Sequence, residues 1–512
     1  MRKWMKKLAV GLLAATMTVS LAGCGGGGEG DVSSDTSGAA ADSSSGTTAE
    51  SGDMPVVNFC VPNIYDTSEL QMVEDGINAV TADKYGLKIK LTFVEFGNWT
   101  QQSNMLLTGD EADLIMIYGT PLLSFVKNGQ LLNLNDYYAN ASEEFKTAAA
   151  KVFTEEDLKC LTVNGNIYAM VNNRNHGDTV VLEIDEEIAG EFDIVPGTFM
   201  SLDEVDEFLA KAHEAYPDRY AIVPQGNTTM SNGGWTWDGL GDIDFIGVIG
   251  ISDDDTTVKN LFETEEFIEF TEHSRRWYEN GYMMADCLSN TETGSAMIRN
   301  DRAVSCFNNG AYYAEEDFHK DGVVRVPLTS AKADTTTISG MCWGINSNSK
   351  NPDAAWKMLE ILYYDKDVAT LLANGVEGEH YVLNEDGTAS FPEGEDYTNC
   401  GYGGMMETWL FPNSSLGYPR AEDGIEYFTN LEAYNESVKK SKAYGFCFDT
   451  TNVVDEYSAC CNVKDKYYDA LMLGAVDPAE ILPQATEELK AAGLEMVMAE
   501  KQTQFDAWLA QQ

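Results

Sequence analysis

Carboxylates are the most numerous groups in this sequence that could do chemistry, but their pattern selects no reaction. With 83 Asp and Glu residues, acid pairs of the kind that hydrolyse glycosidic bonds can be drawn almost anywhere and carry no weight. The sequence has no G-x-S-x-G nucleophile motif, no H-E-x-x-H zinc motif and no phosphate-binding P-loop. The acidic run Asp253, Asp254 and Asp255 lacks the glycine and distal glutamate of a calcium loop, so a solvated turn is the simpler interpretation. We predict a protein that is not an enzyme and uses no cofactor and no metal.

Histidine and cysteine show no metal or catalytic spacing either. The His residues are scattered at His176, His213, His273, His319 and His380. Apart from Cys24, the cysteines are Cys60, Cys160, Cys287, Cys306, Cys342, Cys400, Cys447, Cys460 and Cys461. Their number is odd, their spacing is irregular and no C-x-x-C occurs, which predicts mostly free thiols and no zinc site. One or two disulfides stay open as an alternative.

Cys24 is the cysteine with a specific chemical setting. It follows a basic start, an apolar run over residues 8–21 and the small-residue pattern Leu21-Ala22-Gly23. This arrangement resembles a bacterial lipoprotein signal, which implies that residues 1–23 are removed and that Cys24 is lipidated. An ordinary signal peptide with a nearby cysteine is the alternative. Residues 24–53 are mostly Gly, Ser, Thr, Ala and Asp and predict a flexible linker.

Charge narrows the choice of partners. The formal net charge is −50, and loss of the four basic residues of the leader would take it to −54. Nucleic acid is therefore excluded as a partner, because its recognition needs the opposite sign, and an uncharged ligand is favoured. The sequence has no second long apolar run, so we predict no transmembrane domain.

Strands and helices alternate along the rest of the chain. Strands are predicted over residues 56–61, 88–94 and 114–118, with a helix capped by Thr67 between the first two. Ser201 and Glu204 form the pattern of a capping box at the start of another helix. This β-α-β order predicts an α/β protein with a mainly parallel sheet.

Four stretches of the chain carry a family resemblance: ADLIMIYGTPLLSFVKNGQLLNLNDYY (112–138), VNGNIYAM (163–170), RRWYENGYM (275–283) and GMCWGINSNSKNPDAAWKMLEILYYDKDV (340–368). They resemble the extracellular solute-binding proteins of ATP-binding-cassette (ABC) importers, in particular the family-1, sugar-type branch. The segments LLANGVEGEHYVLNEDG (371–387) and GAVDPAEILPQATEELKAAGLEMVMAEKQTQFDAWL (474–509) are similar to a lipoprotein subgroup with its own C-terminal region. Together the resemblance covers most of residues 54–512.

The resemblance implies a periplasmic-binding-protein-like α/β fold, in which three hinge crossovers join two α/β lobes around a ligand cleft. By this analogy lobe 1 comprises residues 54–170 and 340–400, and lobe 2 comprises residues 171–339 and 401–512. The crossovers are expected near residues 170–173, 338–341 and 401–411. Binding sites at strand ends and at hinged domain seams agree with this expectation.

The implied ligand is a neutral sugar or oligosaccharide, whose flat C–H faces stack on aromatic rings while polar side chains bind its hydroxyls. The candidate ligand-binding residues are Tyr65, Asp66, Trp99 and Tyr118 in lobe 1, Trp235, Trp237, Asn308 and Tyr312 in lobe 2, and Trp343, Tyr402 and Trp409 near the crossovers. For Trp235 and Trp237 the alternative is a loop aromatic folded back on its own lobe. For Trp343 the alternative is a core position.

The predicted function is a receptor at the extracellular face of the cell membrane, anchored through lipidated Cys24, that delivers its carbohydrate ligand to the transmembrane subunits of an ABC permease. A binding protein for a short peptide or another solute is the second hypothesis. An extracellular glycosidase is the third hypothesis, and it alone predicts turnover.

Overall fold

A computed structural model of the protein describes residues 54–229, 236–251, 254–320 and 322–512. The predicted leader, linker and Cys24 lie outside these residues, as do Trp235 and Asp253. The strands are β1 (Val56–Asn63), β2 (Lys88–Glu95), β3 (Leu114–Tyr118), β4 (Thr162–Val163), β5 (Asn166–Ile167), β6 (Ala169–Val171), β7 (Thr179–Asp185), β8 (Tyr220–Val223), β9 (Trp237–Asp238), β10 (Ile249–Gly250), β11 (Ala303–Gly310), β12 (His319–Lys320), β13 (Val323–Pro327), β14 (Lys332–Ala333), β15 (Met341–Ile345), β16 (Val382–Leu383), β17 (Ala389–Ser390) and β18 (Lys439–Lys440).

The α-helices fall between these strands and then dominate the end of the chain. They are α1 (Leu70–Tyr85), α2 (Trp99–Thr108), α3 (Leu122–Lys127), α4 (Asn135–Ala139), α5 (Glu143–Ala149), α6 (Glu155–Lys159), α7 (Glu186–Glu191), α8 (Leu202–Ala215), α9 (Glu265–Glu279), α10 (Gly294–Arg299), α11 (Thr335–Ser339), α12 (Pro352–Tyr364), α13 (Lys366–Asn374), α14 (Tyr427–Ser437), α15 (Val454–Met472), α16 (Pro478–Ala491) and α17 (Leu494–Leu509). None of the helices in the described part of the chain combines the length and the apolar character that crossing a bilayer requires.

The first large sheet has the strand order β2-β1-β3-β15-β6. Strands β2, β1 and β3 are parallel, whereas β15 is antiparallel to both of its neighbours. Strand β3 is buried along almost its whole length, as a short apolar strand covered on both faces should be. The parallel prediction therefore holds for the first half of this sheet only.

The second large sheet has the order β12-β13-β7-β11-β8, and only β11 and β8 are parallel. The expectation of a mainly parallel sheet is wrong here. The reason is topological: Asp178, just before β7, forms an isolated bridge with Lys332, which begins β14 soon after β13. The chain thus enters β7 and leaves β13 at the same end of these two neighbouring strands, so the strands must run in opposite directions.

Two separate apolar cores accompany the two sheets. The first core includes Tyr402, Leu410 and Phe411 and extends to Tyr444, whereas the second core resumes at Ala443. Residues 401–411 therefore pack with the first lobe, in contrast to the predicted third crossover. We propose that the third crossover lies around β18, which pairs with β14 of the preceding crossover.

Local sequence signals account for several helix ends. Ser201 accepts a hydrogen bond from the Glu204 amide (3.3 Å) and Glu204 accepts one from the Ser201 amide (2.8 Å), which forms the predicted capping box of α8. Helix α1 ends at Gly86 in the left-handed conformation. Its start differs from the prediction: the cap position is Glu69 rather than Thr67, because Asp66 already turns the chain by accepting from the Ser68 amide.

Candidate functional site

A cavity of about 370 Å³ lies at the seam between the two cores. Its lining comes from both sheets, from the crossovers and from one loop: Tyr118, Arg174, Asp178, Val180, Ile243, Phe245, Ile251, Asn309, Lys332, Asp334, Thr336, Thr337, Gly340 and Met341. Cavities at such seams are where ligands of small-molecule size bind. We call this cavity the cleft.

Tyr118 forms the wall of the cleft on the side of the first sheet. It is the last residue of β3, it pairs with Met341 at the start of β15, and its ring lies 5.1 Å from that of Phe96. Gly119 follows with a φ of 73°, and a Cβ there would lie 2.7 Å from Thr100 Oγ1. Glycine therefore lets the chain turn away directly after Tyr118, so that the half-buried ring stays at the edge of the sheet.

The second sheet contributes Asn309 at the end of β11, opposite Val180 of β7. Asn309 Oδ1 is buried and has no hydrogen-bond partner among the described residues. A buried carbonyl oxygen without a donor is costly. A donor supplied by a bound ligand would satisfy it.

The crossovers place charged groups of both signs on the floor of the cleft. The Arg174 guanidinium donates to the carbonyl oxygens of Asn175 (2.8 Å) and Thr337, and burial lowers its pKa. Burial also lowers the pKa of Lys332 to about 8, against the opposing influence of Asp334 and Asp178. Burial raises the pKa of Asp178, an effect that Arg174 partly offsets. The opposite charges balance locally, which suits an uncharged ligand with many hydroxyl groups.

Asp334 is engaged in holding this floor together. Its carboxylate caps α11 by accepting from the Thr337 amide (2.9 Å) and from the hydroxyls of Thr336 (2.6 Å) and Thr337 (3.1 Å). All three bonds reach the same oxygen, Oδ1, and fix the carboxylate at the start of α11. The lining includes groups that can form hydrogen bonds and apolar contacts with a ligand.

Ile243 and Phe245 bring apolar surface to the cleft from residues 239–247, which we call the cleft loop. Ile243 is 54% exposed. Sequence reasoning missed both residues. The signal was available, because Phe245 lies between Gly241 and Gly247 in the kind of Gly-rich loop that drew attention to Trp235 and Trp237.

Of the predicted site residues that the structure describes, Tyr118 is the one among the lining residues. Four others require correction because they lie in the apolar cores and are at most 2% exposed: Trp99, Trp237, Trp343 and Tyr402. Trp343 illustrates the reason: its ring stacks on Phe59 at 4.3 Å, and its indole nitrogen donates to the Leu410 carbonyl at 2.9 Å. Side chains packed in this way have no surface to offer a ligand.

Tyr65 and Asp66 join the loop after β1 to residues 397–403. Asp66 accepts from the amides of Gly403 (2.9 Å) and Gly401 (3.3 Å), and the Tyr65 ring contacts that of Tyr397 at 5.7 Å. Hydrogen bonds, chiefly from the Ser68 amide, lower the pKa of Asp66. These contacts give both residues a structural role in the absence of ligand.

The remaining candidates are half-buried and border the seam without lining the cavity. Asn308 Oδ1 accepts from the Asn309 amide at 2.9 Å. Tyr312 lies 5.0 Å from the Phe318 ring, and the Trp409 carbonyl accepts from Asn172 at 2.6 Å. Ligand contact by these three residues stays a prediction.

Asp203, Asp206 and His273 form the one group of potential metal ligands found among the described residues, with ligand atoms within 4.8 Å of one another. It lies between α8 and α9. Arg276 already donates to Asp206 at 2.9 Å, and the Trp277 indole donates to the same carboxylate at 2.5 Å. An arginine thus supplies the positive charge that a metal would bring, so the group fits a helix–helix contact better.

Comparison with known proteins gives two matches to sequence families. The profile of the family described as bacterial extracellular solute-binding protein matches residues 76–375, more than half of the chain. A second profile, described as a domain of unknown function (DUF3502), matches residues 442–510. A carbohydrate ABC transporter substrate-binding protein of Streptococcus pneumoniae serotype 4 is 24% identical over 474 residues, which cover 90% of this chain and 92% of that protein.

Solved structures resemble the fold over almost the whole described chain. An N-glycan transport solute binding protein (NgtS) from Streptococcus pneumoniae superposes with a TM-score of 0.77 at 22% identity, covering 89% of this chain and 99% of that one. The same protein in complex with Man1GlcNAc gives a TM-score of 0.71 at 21% identity, covering 89% of this chain and 100% of that one. A solute binding protein from Bifidobacterium longum infantis, described as HMO-binding, gives a TM-score of 0.57 at 15% identity, covering 90% and 100%.

Proposed function

Because the chain belongs to the family of bacterial extracellular solute-binding proteins, we propose that it captures a sugar or oligosaccharide in the cleft and delivers it to the membrane subunits of an ABC importer. The observation that carries this proposal is the cavity at the seam, whose lining comes from both sheets and from the crossovers between them. The solved relatives confirm the predicted fold class, a periplasmic-binding-protein-like pair of α/β lobes.

The lining supports a carbohydrate ligand. The structural relative NgtS is described with Man1GlcNAc and Man5GlcNAc bound, and the sequence relative is named for carbohydrate transport. In this chain Tyr118 and Phe245 offer rings, whereas Asn309, Thr336 and Thr337 offer polar groups. Micromolar affinity corresponds to about 8 kcal/mol, and each ring contact supplies roughly 0.5–1.5 kcal/mol beyond its buried area. Several rings and hydrogen bonds must therefore act together.

Transport needs no chemical step in the protein itself. A ligand that contacts both lobes stabilises the closed arrangement over the open one, and only this difference in affinity can shift the equilibrium between them. Hinges of a few residues suffice for such closure. The crossover residues Arg174, Lys332 and Asp334 lie on the cleft floor, where ligand contact and hinge rotation would meet.

We also propose that the protein is tethered to the outer face of the membrane through lipidated Cys24, as its lipobox-like sequence suggests. Metabolic labelling with an alkyne fatty acid tests this directly. Wild-type protein should carry label and the Cys24→Ala variant should not. Equal absence of label from both would exclude the anchor without affecting the ligand-binding proposal.

Isothermal titration calorimetry against an oligosaccharide panel tests the function, with Man1GlcNAc and Man5GlcNAc as first probes and short peptides as the comparison. In a protein that binds, Tyr118→Ala should weaken binding by at least about tenfold, equivalent to about 1.4 kcal/mol, while the variant stays folded. The control is Tyr220→Ala, which removes a tyrosine that is 39% exposed and does not line the cleft.

Two outcomes would contradict the proposal. Silence across the sugars together with binding of peptides would favour the second hypothesis. Release of new reducing ends from the oligosaccharides on prolonged incubation would identify a glycosidase.

A further inference from the structure

The cleft loop holds an unfavourable backbone conformation. Two residues that are not glycine, Leu240 (φ 60°) and Phe245 (φ 56°), have positive φ, as do Gly241 (φ 77°) and Gly247 (φ 84°). Bulky L-residues avoid this region because Cβ crowds the backbone, so the loop keeps its shape only if its surroundings hold it there.

Lys501 of α17 is the principal restraint. Its ammonium group donates to the carbonyl oxygens of Gly239 (3.1 Å) and Gly247 (2.9 Å), which are the two ends of the loop, and to Asp242 Oδ2 (2.9 Å) within it. Lys501 is fully buried and Asp242 is 6% exposed. A buried pair of this kind contributes little net stability and is better explained by the single geometry that it imposes.

Further bonds come from the segment before α17. The Tyr457 hydroxyl donates to Asp242 Oδ1 at 2.6 Å, and the Phe448 amide donates to the Leu240 carbonyl at 3.0 Å. A Cβ on Gly241 would lie 2.7 Å from the Cα of Cys447, so the two backbones are in close contact. Asp242 in turn accepts from the amides of Asp244 (2.9 Å) and Ile246 (3.1 Å) and so passes the restraint to the second half of the loop.

We infer that Cys447, Phe448, Tyr457 and Lys501 form an anchor that holds the cleft loop so that Phe245 presents its ring to a sugar. All four residues lie within residues 442–510, the segment that matches a domain of unknown function. This segment thus contributes to ligand affinity by positioning the cleft loop, and Lys501 is a positioning residue. It rests on the proposed function only for the identity of the ligand.

The position of the loop supports its role in binding. Ile243 and Phe245 line the cleft, although both are apolar and Ile243 is more than half exposed in the absence of ligand. The apolar face of a pyranose ring would cover this surface. The anchor holds the loop that carries Ile243 and Phe245. Loosening the anchor should therefore reduce ligand affinity without removing any group that touches the ligand.

The test uses two matched tyrosines of α15. Tyr457→Phe removes a bond to the loop, whereas the control Tyr467→Phe removes a bond of the same kind to Glu488 (2.7 Å), away from the loop. We expect Tyr457→Phe to speed hydrogen exchange at the Asp244 and Ile246 amides and to weaken Man5GlcNAc binding about three- to tenfold. The control should change neither. Phe245→Ala should weaken binding at least about tenfold, with loop exchange elsewhere unchanged.

Lys501→Met is the stronger variant, with Lys466→Met, which breaks an exposed pair with Glu488, as its control. If Lys501→Met does not fold, Tyr457→Phe still tests whether the anchor holds the cleft loop. Unchanged exchange in Tyr457→Phe would overturn the anchor, and faster exchange with unchanged affinity would overturn its role in binding. Exchange is measured without ligand, so a wild-type protein that binds no sugar would refute the proposed function and leave the anchor to be judged separately.

Discussion

The carboxyl group of Glu407 is buried beside the loop that follows β1. It is 1% exposed, it accepts from the Ile64 amide at 2.6 Å, and its second oxygen has no partner among the described residues. Burial raises its pKa to about 7, against a smaller opposing effect of the Ile64 hydrogen bond. Glu407 therefore binds its proton more tightly in the folded protein than in the unfolded chain.

This shift predicts a pH-dependent effect of Glu407→Gln. Between pH 4.5 and about 7 the folded state holds more protons than the unfolded state, so wild-type stability falls as the pH rises through this window. Glutamine mimics the protonated acid and does not titrate, so the variant does not lose stability as the pH rises. We expect the variant to be about 1–3 kcal/mol more stable than wild type at pH 8 and equal to it near pH 4. Urea unfolding at both pH values measures this, with exposed Glu432→Gln as the control. A constant difference across pH would contradict it.

At the same scale, aromatic residues show what sequence reasoning could and could not predict. Aromatic type selected both Tyr118, which ends a predicted strand and lines the cleft, and Trp343, which lies near a predicted crossover and is buried. Both side chains lie on the same face of the sheet, because Tyr118 pairs with Met341 and Trp343 pairs with Met116. Their difference depends on the position along the strand and on which later segments cover it. Leu410, which accepts the Trp343 hydrogen bond, comes 67 positions later in the chain. No local pattern carries that information.

At the scale of elements, the start of α8 was predictable from the sequence. The capping box of Ser201 and Glu204 uses groups three positions apart, so sequence alone determines it. Ser201→Ala should destabilise the protein by about 1 kcal/mol, since an amide of the first turn of α8 loses its acceptor. Urea unfolding checks this value. Glu207→Gln, a charge change on the exposed face of the same helix, should be close to neutral.

The third crossover was the least predictable element. Residues 401–411 are Gly-rich and lack periodicity, so only analogy placed the crossover there. In the structure Tyr402 donates to the Leu372 carbonyl (2.5 Å) and Phe411 joins the first core. These contacts are made with α13 and with strands far away in sequence. Burial of two aromatic side chains outweighs any turn preference in this segment.

At the scale of the whole molecule, the proposed function predicts contraction on ligand binding. Small-angle X-ray scattering should give a smaller radius of gyration when saturating Man5GlcNAc is added to wild-type protein. Phe245→Ala at the same sugar concentration should contract less, in proportion to its occupancy. A radius that stays constant at full occupancy would exclude closure as the response to this ligand.

The strand order of the first sheet has a consequence for how the chain folds. Strand β15 lies between β3 and β6, yet the residues of the second sheet, from Thr179 to Pro327, separate it from β6 in the sequence. The second sheet forms from one continuous segment of the chain. The first sheet is complete only when β15, which follows that segment in the sequence, has paired with β3 and β6. Because distant pairings form slowly, we expect the second sheet to form before the first. Until β15 arrives, β3 and β6 each have an unpaired edge of the kind that invites aggregation, so a newly exported chain is most vulnerable before residue 345 has emerged.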